Sequence, residues 1–405
     1  MKAVVFTLGC KVNEVESAAI MASLERGGWK VSDKLEFADA YVLNTCAVTR
    51  EAEKKSRQLL ARARKFNPAA KIFVCGCACI KDVKPFEDKG ATFVCGSGDK
   101  GAVIAAICAE FGGECNGPVY PKQTKTRAFI KIQDGCNNFC SYCIIPYLRG
   151  REKSRSIEDI CGEIAKCDSP EIVLTGINIS AFNDNGQGLP ALISALKDVD
   201  KRIRMGSLEC SVVTEELLSA LKELRDFAPQ FHLSLQSGSS SVLKAMNRHY
   251  TREQFLEKCA LIYRFFPEGA ITTDIISGFP TETEADFEKS LSIIDEAGFA
   301  RVHAFSFSPR EGTVAYRMKD LPSDIKAERI SRLLDSAKNA ECRYVLNFTG
   351  KILDFIAEEY DGQYTTGYTG NYIKVYMPQK LLSGKKYSVK IVKLHADGAI
   401  AELQP

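Results

Sequence analysis

The sequence is poor in histidine, carries little net charge and contains no long apolar run. The four histidines are scattered, and none joins the cysteines at zinc-finger spacing: His232, His249, His303 and His395. No segment approaches the roughly 20 apolar residues that a membrane-spanning helix needs. The formal net charge is only +3, so any binding of nucleic acid must come from local basic patches.

The amino-terminal stretch also lacks the pattern of a secretory signal peptide. Residues 1–6 read as a β-strand, with no charged leader or small-residue cleavage site. These absences predict a cytoplasmic protein with no membrane partner, in a compartment where thiols stay reduced. The 16 cysteines therefore favour metal or cluster chemistry over a disulfide framework.

Three of these cysteines form a short motif. Cys136, Cys140 and Cys143 have the spacing Cys-x3-Cys-x2-Cys, with Tyr142 just before the last. Three close thiolates can hold three corners of a 4Fe-4S cluster and leave the fourth iron open. Zinc is the alternative, but it usually takes four ligands in two pairs. The motif resembles the signature of radical S-adenosylmethionine (SAM) enzymes, whose open iron chelates that cofactor.

The first segment alternates strands and helices, which predicts a parallel sheet covered by helices. The predicted strands are Ala3–Thr7, Ala40–Leu43, Lys71–Val74 and Thr92–Val94, with helices over Asn13–Arg26 and about Thr49–Phe66. A turn-rich linker over residues 111–118 follows. We place this first domain at residues 1–115.

A cysteine follows each of the first three strands: Cys10, Cys46 and Cys77. Because the carboxyl ends of parallel strands meet at one edge, these thiols could hold a second cluster with an open iron. Well-packed buried cysteines are the alternative. Cys75 and Cys79 crowd Cys77, and strand alternation would put Cys75 and Cys77 on one face. Spacing alone leaves the ligand among the three open.

Six strand-helix units then predict an open, three-quarter parallel barrel over residues 122–346. Its strands are expected at Phe129–Gln133, Ile172–Thr175, Ile203–Leu208, Phe231–Leu235, Ile271–Ile276 and Val302–Phe307, and a long helix at Ser323–Leu346. The three-cysteine motif follows the first strand, at the end where such barrels build active sites. Residues 347–405 contain five short strands, which predict a small antiparallel β-barrel of the oligonucleotide-binding sort.

Several motifs together carry a family resemblance. Residues 7–17 (Thr-Leu-Gly-Cys-Lys-Val-Asn…Glu-Ser), 44–48 (Asn-Thr-Cys-Ala-Val) and 76–77 (Gly-Cys) resemble the amino-terminal domain of radical SAM methylthiotransferases. Residues 135–155, 174–178, 235–238, 246–248 and 274–280 resemble, in order, their radical domain. The terminal barrel resembles the TRAM RNA-binding domain. The sequence Gly-Cys-Lys-Val-Asn at residues 9–13 is similar to the branch that acts on N6-threonylcarbamoyladenosine.

The resemblance implies an enzyme that inserts a methylthio group at carbon 2 of N6-threonylcarbamoyladenosine, at position 37 of tRNA. It implies two 4Fe-4S clusters, on Cys136, Cys140 and Cys143 and on Cys10, Cys46 and Cys77. It also implies two uses of SAM: reductive cleavage to a radical, and methylation of the sulfur. The expected partners are the tRNA anticodon loop, an external electron donor and an unidentified sulfur donor.

Further residues are candidates for cofactor or RNA contact. Tyr142 could pack on the cofactor's adenine or simply beneath its own loop. Four residues at strand ends could face SAM or only cap the barrel: Asn178, Glu209, Gln236 and Ser277. Basic groups on one helix and after the cysteine loop, and tyrosines of the last barrel, are candidates for tRNA contact: Arg50, Lys54, Lys55, Arg57, Arg62, Arg64, Lys65, Arg149, Arg151, Lys153, Arg155, Tyr364, Tyr368, Tyr372 and Tyr376.

Other functions stay open at this point. The same chemistry could act on N6-isopentenyladenosine in tRNA or on an aspartate of a ribosomal protein. A different class, a non-catalytic iron–sulfur electron carrier or redox sensor, would want four ligands for each cluster. Release of 5′-deoxyadenosine separates an enzyme from a carrier.

Overall fold

The structure is a computed structural model that describes residues 1–48, 50–96, 100–112 and 126–404. Thr49, where the second predicted helix was expected to begin, lies outside these residues. Most of the predicted linker over 111–118, and the predicted division between residues 115 and 122, also lie outside them.

The first described segment is a five-stranded, all-parallel sheet in the order β2-β1-β3-β4-β5. Strand β3 is buried along its whole length, as expected when helices cover both faces of a parallel sheet. The three-residue edge strand β2 and helix α5 were not predicted. The elements are β1 Lys2–Thr7, α1 Lys11–Arg26, β2 Lys30–Ser32, β3 Ala40–Thr45, α2 Arg50–Phe66, β4 Lys71–Gly76, α3 Cys77–Lys81, α4 Lys84–Glu87, β5 Phe93–Val94 and α5 Lys100–Phe111.

The second segment is an open parallel barrel made of two four-stranded sheets, β7-β6-β8-β9 and β10-β11-β12-β13. Only the short β7 runs antiparallel, beside β6. The predicted third strand is divided at Gly206, where an added Cβ would lie 2.6 Å from the Leu174 carbonyl oxygen. Among the described residues no ladder joins β13 back to β6, so the barrel is open on that side, as predicted.

The largest apolar core lies between the barrel strands and the helices that cover their outside. The strands are β6 Arg127–Asp134, β7 Lys153–Ser154, β8 Glu171–Gly176, β9 Arg202–Met205, β10 Ser207–Leu208, β11 Gln230–Gln236, β12 Ala270–Ser277 and β13 Arg301–Ser306. The helices are α6 Ile145–Arg149, α7 Ile157–Ala165, α8 Leu189–Ala195, α9 Glu215–Lys222, α10 Ser240–Ala245, α11 Arg252–Phe265, α12 Glu284–Glu296 and α13 Ser323–Leu346.

The last segment is a closed five-stranded barrel in the order β14-β15-β16-β18-β17. The prediction of a wholly antiparallel barrel is wrong at one point, because β16 and β18 pair in parallel. When five strands alternate in direction around a closed barrel, one neighbouring pair must run in the same direction, and here that pair is β16 and β18. The strands are β14 Ile352–Tyr360, β15 Thr365–Thr369, β16 Lys374–Met377, β17 Lys386–His395 and β18 Gly398–Leu403.

Charged contacts attach this small barrel to the large one. The Arg127 Nε donates to Glu358 at 2.8 Å, and Arg204 donates to the carbonyl oxygens of Thr369 and Gly370 at 3.2 Å each. The ring of Tyr368 lies 4.6 Å from the Arg127 guanidinium carbon. The contacts fix β14 and β15 against the amino ends of the first barrel strands. Among the described residues, no helix has the length and apolarity to cross a membrane.

Candidate functional site

The loop that carries Cys136, Cys140 and Cys143 begins directly after β6. Gly135 has a φ of 72°, and an added Cβ would lie 2.0 Å from the Arg151 carbonyl oxygen. Only glycine fits this close approach. The Cys136 amide then donates to the Gly150 carbonyl at 3.1 Å, and the Cys143 amide donates to the Cys140 carbonyl at 2.9 Å. The loop is thus closed on itself, with its three thiols on one short turn.

Residues that follow β11 hold this loop from the other side. The Asn247 side chain donates to the carbonyl oxygens of Asn138 and Phe139 at 3.0 and 3.1 Å. The Ser141 amide donates to the Met246 carbonyl at 3.0 Å. Phe139 has a φ of 46°, a strained conformation that persists because these bonds determine it. The loop is therefore preorganised by distant residues.

The thiols of this loop meet hydrogen-bond donors that suit a cluster. Arg248 donates to the Cys140 Sγ at 3.4 Å, and the side-chain nitrogen of Asn178 lies 3.9 Å from the Cys136 Sγ. Burial raises the pKa of Cys136 and raises that of Cys143 to about 12. Thiolates form here only when positive charge compensates them, and iron supplies such charge. The residues therefore fit an iron–sulfur cluster.

The predicted cofactor contacts occupy different positions. Tyr142 packs against an apolar cluster that includes Met246 and Phe279, which is the packing interpretation; contact with adenine stays a prediction. Glu209 accepts from Asn138 at 2.6 Å and pairs with Arg248 at 2.9 Å, so it supports the loop.

Gln236 and Ser277 lie at the carboxyl ends of β11 and β12. Gln236 has a φ of 70° and is only partly buried. Ser277 is fully buried and donates to the Phe305 carbonyl at 3.5 Å. A role for Ser277 in capping the barrel therefore has direct support, while SAM contact by either residue stays a prediction.

Cys10, Cys46 and Cys77 lie together at one edge of the first sheet. Their strands are neighbours, and the register pairs Thr7 with Asn44 and Thr45 with Gly76. Burial raises the pKa of Cys46, and the nearby Cys77 and Cys10 thiols raise it further. The register and this influence place the three thiols near one another. The edge predicted from strand alternation thus collects the three residues.

Gly76 separates Cys77 from Cys75. Its φ is 103°, and an added Cβ would lie 2.4 Å from the Thr45 carbonyl oxygen. Strand β4 ends there and α3 begins at Cys77, so the prediction that Cys75 and Cys77 share a face is wrong. Cys75 packs on the opposite side of the sheet from Cys77. Cys79 lies 3.7 Å from the Thr45 hydroxyl.

Arg149 connects the two groups of thiols, a role that sequence reasoning missed. It donates to Asn13 at 2.7 Å and Glu16 at 2.8 Å on α1, and to Asp134 at 3.3 Å before the first loop. Its side chain is 1% exposed, so the prediction that Arg149 contacts tRNA phosphates is wrong. No sequence signal links residues 149 and 16, because only folding brings them together.

Arg149 also bears on the fit of a second cluster. Burial raises the pKa of Cys77, and the charge and hydrogen bond of Arg149 oppose that rise. Among the described residues, the buried Nε of Arg149 has no hydrogen-bond partner. A sulfide or thiolate of a cluster on the three thiols would accept from such a donor. These residues therefore also fit an iron–sulfur cluster.

A small cavity lies in the barrel interior, next to the first residue of α1. Its volume is about 230 Å³, and Lys11, Arg127, Arg204, His232 and His303 are among its lining residues. The cavity leaves Lys11 accessible to water. Desolvation by the surrounding protein, with the charges of Arg204 and Arg127, lowers the pKa of Lys11.

Some of the residues predicted to contact tRNA are paired within the protein, and others are exposed to solvent. Arg64 donates to the Pro68 and Ala70 carbonyls, and Arg155 pairs with Glu163. Lys54 and Lys153 are exposed. The rings of Tyr364 and Tyr376 contact that of His395 on the last barrel, and Tyr368 stacks on Tyr372. The side chain of Arg50 lies outside the described part of the chain.

Comparison with known proteins agrees with this geometry. The model of the Radical SAM superfamily matches residues 130–294, and that of the uncharacterized protein family UPF0004 matches residues 2–96. The radical S-adenosylmethionine methyltransferase TsrM from Kitasatospora setae superposes with a TM-score of 0.56 at 13% identity, over 75% of this chain and 74% of its own. The fold and the first loop define a radical SAM enzyme, a class whose cofactors are a 4Fe-4S cluster and SAM.

Two relatives identify the family of the chain within this class. The threonylcarbamoyladenosine tRNA methylthiotransferase MtaB of Chlamydia pneumoniae is 37% identical over 98% of this chain and 96% of its own length. The tRNA-2-methylthio-N(6)-dimethylallyladenosine synthase of Thermodesulfovibrio yellowstonii is 33% identical over 96% of this chain and 95% of its own. The chain belongs to the radical SAM methylthiotransferase family and is an enzyme of that class.

Proposed function

We propose that this enzyme inserts a methylthio group at carbon 2 of N6-threonylcarbamoyladenosine, at position 37 of tRNA. The observation that carries the proposal is the pair of three-thiol sites joined by the single buried side chain of Arg149. An electron carrier has no need of two sites that each leave one iron open. The relative from Chlamydia pneumoniae, which carries this activity in its name, supports the choice of nucleoside.

In this proposal Cys136, Cys140 and Cys143 hold the cluster that binds SAM, and the other three thiols hold a second. When bound, these groups supply the radical that activates an aromatic C–H bond and the sulfur that replaces its hydrogen. The protein itself positions these groups and excludes water from them.

The protein's own contribution is positioning and charge. Arg248 and Asn178 place N–H donors beside the thiols of the first site. Arg149 does the same beside Cys77. Hydrogen bonds to cluster sulfurs stabilise the more negative, reduced state and so adjust the reduction potential. Glu16 and Asp134 neutralise the guanidinium of Arg149. These ion pairs offset the desolvation cost of a buried cation between the two sites.

The tRNA would bind across the mouth of both sites. Lys54 and Lys153 are exposed cations that can neutralise phosphates. The terminal barrel, with the partly exposed Tyr364, Tyr376 and Lys374, supports a TRAM-like RNA-binding role, because aromatic rings beside positive charge suit single-stranded RNA. The anticodon loop, an external electron donor, a sulfur donor and a cytoplasmic location belong to this proposal as predictions.

Anaerobic reconstitution followed by nucleoside analysis tests the proposal. The wild-type protein should hold about eight irons per chain and release 5′-deoxyadenosine from SAM. With tRNA that carries threonylcarbamoyladenosine, mass spectrometry should find the methylthio derivative. A product only with isopentenyladenosine tRNA would move the assignment to the second activity, which the relative from Thermodesulfovibrio yellowstonii represents. Iron without any release of 5′-deoxyadenosine would support a carrier or sensor instead.

A further inference from the structure

We infer that the cavity beside Lys11 receives the carboxylate of the threonylcarbamoyl group and makes Lys11 a specificity-determining residue. This inference rests on the proposed function and concerns how the enzyme distinguishes an anionic substituent from an apolar one. The cavity lies inside the large barrel, and Lys11 of α1 is one of its lining residues.

The ionisable side chains that line the cavity are basic, apart from the phenol of Tyr372. They come from helix α1 and from four different barrel strands: Lys11, Arg127, Arg204, His232 and His303. None of the lining residues is a carboxylate. The nearby acids Glu171 and Glu358 are engaged behind the arginines, at 2.8 Å from Arg204 and Arg127 respectively.

Among the described residues, Lys11 differs from the two arginines in having no close ion pair, and the carboxylates of Glu14 and Glu171 act on its charge from a greater distance. Its Nζ lies 5.9 Å from the centre of the Phe129 ring. Among the described residues, no ion pair or hydrogen bond satisfies its ammonium group. In the free enzyme water therefore solvates this ammonium, which lies near two guanidinium groups and an apolar ring. Entry of a ligand carboxylate is favourable, because charge-assisted bonds to such a group are strong.

Three further groups can complete the site. His232 lies 3.0 Å from the Thr272 hydroxyl and 3.2 Å from Asp274, and its ring centre is 5.8 Å from that of His303. Asp274 is therefore occupied by the histidines rather than by Lys11. The imidazoles and the Thr272 hydroxyl can bond to the hydroxyl and carbamoyl groups of the substituent.

The position of Lys11 connects the cavity to the reacting atom. Lys11 directly follows Cys10, so its ammonium lies within one side-chain length of the second three-thiol site. Carbon 2 and the N6 group flank the same ring nitrogen of adenine and lie on one edge of the base. When carbon 2 of the base faces the second three-thiol site, the N6 substituent therefore extends from the same edge of the base, toward the cavity beside Lys11.

The size and polarity of the cavity favour one kind of substituent. A volume of about 230 Å³ lies below the roughly 300–1,000 Å³ of pockets that hold whole ligands, so it suits part of a nucleoside. An apolar dimethylallyl group would desolvate the ammonium without offering a partner. Such a penalty is a means of rejecting the wrong substrate.

Binding of defined anticodon stem-loops to the reconstituted enzyme tests the inference. Three stem-loops carry threonylcarbamoyladenosine, its carboxamide analogue or plain adenosine at position 37, and fluorescence anisotropy gives each affinity. The wild-type enzyme should bind the carboxylate form about tenfold more tightly than the carboxamide. Lys11→Met should remove that preference and raise KM more than it lowers kcat, whereas Lys11→Arg should keep most of it.

Lys54→Met is the matched control. Lys54 is an exposed lysine of the same sheet domain, and its loss should change all three affinities by one common factor. Iron content and circular dichroism check that Lys11→Met is folded. Equal binding of carboxylate and carboxamide by the wild-type enzyme would overturn the inference, and this comparison needs no variant.

Two other outcomes also count against the inference. A divalent ion retained after cluster removal, and lost in His303→Ala, would assign the cavity to a cation held by His232, Asp274 and His303, whose ligand atoms all lie within 4.8 Å of one another. An unchanged preference in Lys11→Met, with methylthio product still formed, would refute the role of Lys11 alone. Failure of the wild-type enzyme to form the product would instead refute the proposed function.

Discussion

The two three-thiol sites perform related tasks but are built in opposite ways. Cys136, Cys140 and Cys143 lie within eight residues on one loop, closed by its own backbone hydrogen bonds. Cys10, Cys46 and Cys77 come from the ends of three neighbouring strands and span most of the first domain. The first site is local in sequence, whereas the second exists only when the sheet has folded.

This difference has an energetic consequence. Loop-closure entropy rises with the length of chain between two ligands, so a metal can gather the first three thiols more easily than the second three. At the second site, folding of the parallel sheet brings the three thiols together before a metal binds, so the folded sheet offsets that entropy cost. Loss of sheet stability should therefore affect the second site before the first.

The largest expected effect separates the two sites by chemistry. Cys140→Ala should abolish release of 5′-deoxyadenosine and remove about four of eight irons. Cys46→Ala should also remove about four irons but keep that release, because the first site stays intact. The methylthio product should disappear in both variants. Iron analysis and chromatography of the nucleosides provide the measurements.

Loss of 5′-deoxyadenosine in Cys46→Ala to the same extent as in Cys140→Ala would show that the sites do not act separately. Cys161→Ala is a suitable control, because this partly buried cysteine of α7 lies outside both sites. It should keep both the iron and the product.

The next effect concerns the contact between the sites. Arg149→Met leaves the buried carboxylate of Glu16 with Lys100 and Lys131 only, at 3.3 and 3.5 Å. Breaking a buried pair in this way costs roughly 3–5 kcal/mol, and urea unfolding of the cluster-free protein should record it. Iron should be lost from the second site more than from the first.

Arg151→Met is the comparison variant for Arg149→Met. Arg151 is exposed and stacks on Phe139, so its loss should cost less than 1 kcal/mol. Equal losses of stability in the two variants would contradict a special role for Arg149.

A third prediction uses the glycines that precede the cysteines. Gly76→Ala pushes a Cβ to 2.4 Å from the Thr45 carbonyl oxygen, and Gly135→Ala pushes one to 2.0 Å from that of Arg151. Each change should cost about 3 kcal/mol and deplete iron at its own site only. Gly28→Ala, at a φ of 80° with nothing within 4 Å, should cost about 1 kcal/mol. Electron paramagnetic resonance of the reduced protein distinguishes which cluster is lost.

The smallest expected effect tests which cysteine completes the second site. Cys79→Ala removes a buried sulfur that lies near the Thr45 hydroxyl and should cost about 1 kcal/mol. Its iron content should match that of the wild-type protein, as should that of Cys75→Ala. Cys77→Ala should lose about four irons. Loss of a whole cluster in Cys79→Ala would transfer the ligand role to that residue.

Much of the fold follows from patterns in the sequence. Helix α13 begins and ends at the predicted residues, and all six barrel strands occur within a few residues of their expected bounds. The strands are apolar runs between clear turn signals, and capping boxes such as that of Thr251 and Gln254 mark the helix starts. The short edge strand β2 was missed because three residues carry little pattern.

The candidate site was predictable only in its cysteines. Arg248 and Asn247 belong to a motif that carries the family resemblance, but nothing in the sequence indicates that they support a loop more than 100 residues away. The sequence predicts that Arg149 contacts RNA, because it follows the cysteine loop near the expected mouth of the site, where a cation would neutralise phosphates. Its burial depends on α1, which approaches from the other domain.

The sequence by itself determined the three-cysteine loop, the alternation of strands and helices, and the strand ends at which Cys10, Cys46 and Cys77 follow. These features depend on spacing and periodicity, which neighbouring residues define. Only the tertiary structure decided that Cys77 faces away from Cys75, that Arg149 joins the two sites and that Lys11 enters the barrel cavity. Each of these depends on the packing of one domain against another or on a single strained glycine, and residues far apart in the chain carry no local signal of such contacts.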